Sequence, residues 1–401
     1  MEFPYLESVI GFMIFMYFFE TYLDLRQHSA LKLPNLPKPL EGVISQEKFE
    51  KSRAYTLDKS FFHFVHEAVN ILMETSILAF GVLPWVWNKS GYFLASAGIN
   101  SENEIYHTLA FLACFSLWSQ ITDLPFSLYS TFVIEERHGF NKQTVWLFFR
   151  DIIKGLFLSA LLGPPVISAI ILIVQKGGPY LAIYLWAFIF VLSILMMTLY
   201  PILIAPLFNK FTPLPQGELR QKIENLVSSL KFPLKKLFVV DGSTRSSHNN
   251  CKEEEVVAVL SHELGHWKLN HTTYNFVIVQ IITLLQFGGF ALVRNSKELF
   301  QSFVFDTQPV LIGFVLFQHT VTPIQHLVSF GMNLVSRAFE FQVFIILTYC
   351  WFYCAAQAQL VLVGLCLAQF LRLTFWTSGF QCAPDSTVGR LFCTYFPLFE
   401  Y

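Results

Sequence analysis

Seven stretches of this chain are long and apolar enough to cross a lipid bilayer, near 6–25, 65–87, 106–134, 152–174, 179–207, 273–293 and 309–335. A crossing helix needs about 20 mostly apolar residues, and in hydrocarbon each backbone polar group must find its partner within the segment. Those two conditions leave an all-α, multi-pass membrane helical bundle as the fold class. Composition agrees: only 14% of the 401 residues are charged and 44 are Phe, against roughly 25% charged in an average soluble domain. A formal net charge of −1 offers no basic field for nucleic acid. The seven Cys lack the spacing of a zinc ribbon or a disulfide framework.

Glu20, Glu67, Glu74 and Asp123 interrupt the spans, and Pro125, Pro164, Pro165 and Pro201 are expected to kink or end them. Acids at membrane depth face a bundle interior or water, so a bundle enclosing a water-filled chamber fits, although each acid alone also reads as an interfacial charge. Lys and Arg alternate between the connections: the first is rich in them, the second holds only Lys89, and the fifth, 208–272, holds nine. The positive-inside rule then puts the long fifth connection in the cytosol and the N-terminus outside it. No basic region precedes Val9–Phe19, which reads as part of a retained first helix and not as a signal peptide. The sequon at Asn88 lies close to the membrane and reads as chance.

The fifth connection is the soluble-looking part. An amphipathic helix is expected over 216–230, with Leu219, Ile223, Leu226, Val227 and Leu230 on one face. A short strand, Leu237–Val240, follows, and a second helix begins near Lys252 with Glu253, Glu254 and Glu255 in its first turn, where acids suit the helix dipole. That second helix carries His262-Glu-Leu-Gly-His266. Residues four apart share a helix face, so His262 and His266 can offer two imidazole nitrogens to one cation. Zinc takes such ligands at about 2.0–2.1 Å. Glu263, one residue on, stands where a general base toward a water at that site would stand. Two surface histidines on a helix entering the membrane would give the same pattern.

A catalytic zinc also needs a third protein ligand. His271 lies nine residues past His262, half a turn away on a continuous helix, and is expected to point off the ligand face. A Glu on a later helix is then the candidate. Glu340 falls on the cytosolic side by the charge count, whereas Glu298 falls on the other. Alone, Glu340 also reads as an interfacial charge paired with Arg337.

Several segments make the chain recognisable: Phe49-Glu-Lys-Ser-Arg53, Leu57-Asp-Lys-Ser60, Thr131-Phe-Val-Ile-Glu-Glu-Arg-His-Gly-Phe-Asn141, Pro206-Leu-Phe-Asn-Lys-Phe-Thr-Pro-Leu-Pro215, Arg245-Ser-Ser-His-Asn-Asn250, His262-Glu-Leu-Gly-His-Trp267 and Ser336-Arg-Ala-Phe-Glu-Phe-Gln342. Over about 1–342 the chain resembles the integral-membrane CAAX prenyl endopeptidases. The resemblance implies about seven membrane helices around a large water-filled chamber, in the endoplasmic reticulum and inner nuclear membrane, with one Zn²⁺ toward the cytosol or nucleoplasm. It implies removal of the C-terminal tripeptide from prenylated CAAX proteins, in animals including the lamin A precursor. By position it makes His262, His266 and Glu340 the zinc ligands and Glu263 the base, and it puts His248 and Asn249 against the substrate.

The chain departs from that pattern twice. After Asn250 the family continues through a strand segment and a charged loop, where this chain has Cys251-Lys-Glu-Glu-Glu. After Gln342 the family continues with Ala-Asp, the Asp a proposed acid or orienting group, and later adds a His thought to hold the oxyanion. Here Val343-Phe-Ile-Ile-Leu follows, without a charge up to Arg372, a shift of the kind an alternative splice product or a retained intron produces. The expected organisation is 1–207 as membrane helices, 208–274 as the metallopeptidase region, 275–342 as further membrane helices and 343–401 as a divergent apolar tail. Two functions follow: a zinc endopeptidase, or an impaired form that binds zinc or prenylated partners without turnover. The missing acid and oxyanion groups predict weak proteolysis, since one such electrostatic stabiliser is worth about 10²–10³ in rate.

Overall fold

The protein is described here by a computed structural model covering residues 3–36, 42, 44–246 and 253–354. Among those residues the chain is almost wholly helical: α1 (Tyr5–Leu31), α2 (Gln46–Ala79), α3 (Val82–Ser96), α4 (Glu104–Tyr129), α5 (Val145–Lys176), α6 (Leu181–Leu199), the single turn α7 (Ala205–Phe208), α8 (Glu218–Leu230), α9 (Glu253–Lys268), α10 (His271–Val293), α11 (Lys297–Ser302) and α12 (Val310–Cys354). Six helical units are long and apolar enough to span a membrane, and α2 with α3 makes a seventh if that bent pair is one crossing. The fold class is therefore the expected one, a membrane helical bundle. Its outer face is apolar: Leu72, Trp146, Phe157, Leu285 and Leu292 are all exposed, as suits contact with lipid and not water.

Two expectations about the spans change. The second segment, read as a straight run over 65–87, is bent by 67° between α2 and α3. Gly81 makes the corner with φ +62°, a left-handed conformation glycine adopts without a Cβ penalty. The prolines break less than expected. Pro125 lies inside α4 and Pro164 and Pro165 inside α5. Wider π turns at Ser130–Glu135 and Tyr200–Ile204 extend α4 and α6, the second containing Pro201. Such turns absorb a lost backbone hydrogen bond without ending the helix.

Among the described residues, three apolar clusters hold the helices. One joins α1, α3, α4, α11 and α12 through Val9, Trp87, Phe111, Phe300 and Ile312; a second joins α5, α6, α10 and α12 around Leu181, Phe290 and Phe317. The third is small and lies under the metal motif. There Ile223 and Val227 of α8 bury themselves with Leu264 of α9, and Leu219, Leu226 and Leu230 pack at its edge. That is the apolar face expected of the amphipathic helix, and it is used as predicted. The expected strand appears as β2 (Phe238–Val240). It pairs antiparallel with β1 (Phe211–Pro213) in the register Phe211–Val240 and Pro213–Phe238, a partner the sequence did not announce.

The recurrent sequence motifs meet each other in space. Tyr55 donates to Glu135, Asp58 pairs with Arg137 at 2.8 Å and His138 at 2.9 Å, and Asn141 bridges to Ser246. Arg245 is the knot: its Nε and Nη2 reach Asp151 at 2.9 Å, Nη1 donates to Asn209 Oδ1 at 2.7 Å, and Nη2 donates to the Phe208 carbonyl at 2.6 Å. The Arg245–Asp151 pair is largely buried, so removing one partner leaves an uncompensated charge. Arg245→Met should lower the unfolding free energy by about 3–5 kcal/mol, read as a fall in melting temperature in detergent. A variant melting like the parent would show that the knot is not structural.

Candidate metal centre

The helix that carries the motif is held on two sides. Leu264 points into the small core against α8. Gly265, next to it, faces α12: a Cβ built at Gly265 would lie 2.7 Å from Cγ1 of Val343, and Val343 is fully buried. The missing side chain lets the two helices approach at the level of the motif. The rest of that face then carries His262 and His266 toward Glu340, one turn before Val343 on α12.

The three side chains converge. His262 Nε2 lies 3.0 Å from Glu340 Oε2, His266 Nε2 lies 3.6 Å from Glu340 Oε1, and the two Nε2 atoms are 3.1 Å apart. Ligands at about 2.0–2.1 Å from one tetrahedral ion sit about 3.4 Å from each other. The two Nε2 atoms, 3.1 Å apart, lie near that figure, and one ligand atom from each of the three residues can be chosen so that all lie within 4.8 Å of one another. Two neutral nitrogens and one carboxylate oxygen are a donor set zinc accepts, so the residues present fit a divalent cation. Among the described residues this is the one group of three or more metal-capable side chains. Glu340 is committed to the histidines, which favours the ligand reading over an interfacial charge.

Glu263 is half-buried beside this cluster. Burial pushes its carboxyl up to about 7, the nearby imidazoles opposing the rise and Glu340 adding to it. Burial disfavours the charged form of His262, but the hydrogen bond and charge of Glu340 outweigh that and raise its pKa. A carboxyl titrating near neutral pH is placed to take a proton from water at working pH.

The reading of His271 needs correction. The helix does not run straight past His266: α9 ends at Lys268, Asn270 takes a left-handed conformation with φ +57°, and α10 starts at His271. The break swings His271 back toward the site, where its Nδ1 lies 3.0 Å from His266 Nδ1 and its Nε2 lies 3.0 Å from Gln342 Oε1. The signal was in the sequence. Asn is among the few residues that occupy that conformation readily, and at position 270 it marks a helix end. His248 and Asn249, assigned to the substrate, lie outside the described residues.

Two outcomes follow. Alanine at position 265 gains about 1 kcal/mol of helix propensity, but Val343 is β-branched within a helix and has little rotameric freedom to withdraw. Gly265→Ala should therefore destabilise by about 1–3 kcal/mol and weaken metal binding, and Val343→Ala in the same chain should restore part of both; additive effects in that double-mutant cycle would refute the contact. The second outcome concerns pH. An acid with a raised pKa costs stability above its folded-state value, and the cost disappears below its unfolded-state value. In metal-free protein, Glu263→Gln should thus stabilise by up to about 3 kcal/mol above pH 7, the gain fading toward pH 4.5. A gain independent of pH in thermal melts would contradict the burial of the carboxylate.

The chain is similar to known proteins over most of its length. The family described as "CAAX prenyl protease N-terminal, five membrane helices" matches residues 27–210, and "Peptidase family M48" matches residues 248–343. A protein of Arabidopsis thaliana named CAAX prenyl protease 1 homolog is 71% identical over 364 residues, 85% of this chain and 86% of that protein. The Homo sapiens protein of the same name is 40% identical over 396 residues, covering 84% of this chain and 83% of its own. Among solved structures, the crystal structure of S. mikatae Ste24p superposes with a TM-score of 0.83 at 33% identity, over 96% of this chain and 99% of that one. With that extent of similarity and a metal-capable cluster on the matched segment, the chain belongs to the CAAX prenyl protease 1 family of M48 metallopeptidases.

Proposed function

We propose that this chain is a zinc metalloendopeptidase that removes the C-terminal tripeptide from prenylated CAAX proteins, with His262, His266 and Glu340 holding one Zn²⁺ and Glu263 as the general base. The observation that carries the reading is the convergence of those three ligand atoms beside a half-buried carboxyl. Bound there, the ion would polarise the scissile carbonyl and offset charge developing on its oxygen. Glu263 takes a proton from the attacking water as the C–O bond forms. It returns that proton to the amide nitrogen as the C–N bond breaks, so the carboxylate is regenerated. His248 and Asn249, adjoining the Arg245 knot in sequence, would align the substrate backbone.

In this reading 1–207 and 275–342 supply the membrane helices, 208–274 the metallopeptidase region and 343–401 the divergent tail. The spans enclose a water-filled chamber, for which the polar group of Asp24, His63 and Glu67 between α1 and α2 is support. The Lys and Arg alternation supports a site facing the cytosol or nucleoplasm, from the endoplasmic reticulum and inner nuclear membrane. The relatives' names favour an enzyme over a form that binds without turnover.

The test is hydrolysis of a farnesylated CAAX peptide by the purified full chain, with metal content measured in parallel. Glu263→Gln should cut the rate by about 10²–10⁴ and leave the metal in place; His266→Ala should lose both. Release of the tripeptide at an undiminished rate by Glu263→Gln would overturn the reading, as would metal stoichiometry unchanged by His266→Ala.

A further inference from the structure

The metal motif has a neighbour that the mechanism above does not use. His271 is 2% exposed, and each of its ring nitrogens faces one polar atom: Nδ1 faces His266 Nδ1, and Nε2 faces Gln342 Oε1, both at 3.0 Å. Its ring is stacked on Phe339, with centroids 4.1 Å apart and planes 7° from parallel. We propose that His271 is a positioning residue that fixes which nitrogen of His266 carries the proton, with Gln342 orienting His271 in turn. The proposal rests on the metal site assigned above.

Proton logic gives the line of contacts a single direction. His266 turns Nε2 toward His262 and Glu340, so a cation there needs the Nε2 lone pair and the proton must sit on Nδ1. That proton can be donated only to an acceptor, which makes His271 Nδ1 unprotonated. The proton of His271 is then on Nε2, and its partner must accept. Gln342 presents its carbonyl oxygen, not its amide nitrogen, at that point. The amide oxygen at one end of the line and the metal-facing nitrogen at the other suit the same pair of tautomers.

The elements that supply these residues strengthen the case. His271 opens α10, while Phe339 and Gln342 flank Glu340 on α12, so the helix that brings the third ligand also brings the clamp on His271. The plainer reading is that His271 is a buried histidine satisfied by whatever polar atoms lie near it. The two readings differ in what removal of the acceptor does to the metal. Partners of this kind orient ligands, and losing one typically costs about 10–100-fold in affinity.

The experiment measures Co²⁺ and Zn²⁺ affinity of the full chain in detergent by chelator competition, with the Co²⁺ visible spectrum as the second readout. His271→Leu should weaken binding by roughly 10–100-fold and alter the spectrum. His271→Asn places an oxygen acceptor where Nδ1 stood and should stay within a few-fold of the parent. That rescue separates an acceptor from a filler. Gln342→Met, at an exposed position that the fold can spare, should weaken binding several-fold, and it serves if His271→Leu does not fold. Parental affinity and spectrum in His271→Leu, an Asn variant no better than Leu, or parental affinity in Gln342→Met would each overturn the proposal. A parent chain that binds no metal would instead sink the metallopeptidase reading, and this inference with it.

Discussion

The structure turns on the contact between Gly265 of α9 and Val343 of α12. A metal site assembled from two distant stretches of chain needs their backbones held closely enough for short side chains to share one ion. Here the absence of a side chain at 265 permits the approach, and the burial of Val343 fixes it. Consecutive residues of one helical turn then serve different needs. Glu263 stands at the edge of the cluster, Leu264 is drawn into the core against α8, and Gly265 lies against α12. The turn cannot rotate to improve one of these without spoiling the others, so packing alone sets its orientation. An orientation set in that way is what a site needs if it is to hold ligand geometry within a fraction of an ångström.

The rest of the fold carries α12 to that meeting. At its start this 45-residue helix is buried among α1, α3, α4 and α11 through Ile312 and Leu316, and the bundle around it presents apolar side chains outward. Polar pairs knit the connecting regions, Asp58 to Arg137 and His138, and Arg245 to Asp151 and Asn209. These pairs of unlike charge or amide tie the connections to α2 and α5. They act where apolar packing has no directional preference, and so they set which helix lies beside which.

Much of this was legible in the sequence because it depends on local periodicity. Span lengths, the apolar face of α8, the acidic start of α9 and the pairing of His262 with His266 are all properties of one segment read alone. Glu340 came from topology, by counting which side of the membrane each later acid reaches. What escaped were features set by one residue against a pattern. Gly81 bends a span whose hydropathy is continuous. β1 has three residues, one of them Pro213, too few to show alternation. A helix extended through Asn270 turns His271 away from the site, although Asn is a residue at which helices stop. In each case the averaged signal was correct and the exception carried the geometry.

The position of Val343 bears on how the departure after Gln342 should be understood. The match to the peptidase family ends at residue 343, as though the site were complete and an unrelated tail began there. Physically the division falls elsewhere. Val343 has no exposed surface and sits on the glycine of the motif, and α12 continues without a break to Cys354. Val343 is thus part of the support for the metal-capable side chains. Its two γ-methyl groups lie over Gly265, and the glycine provides the room for them. The packing that presents Glu340 therefore extends to the last residue of the family match, and the ligand cluster has its shape because Val343 is apolar, compact and helical.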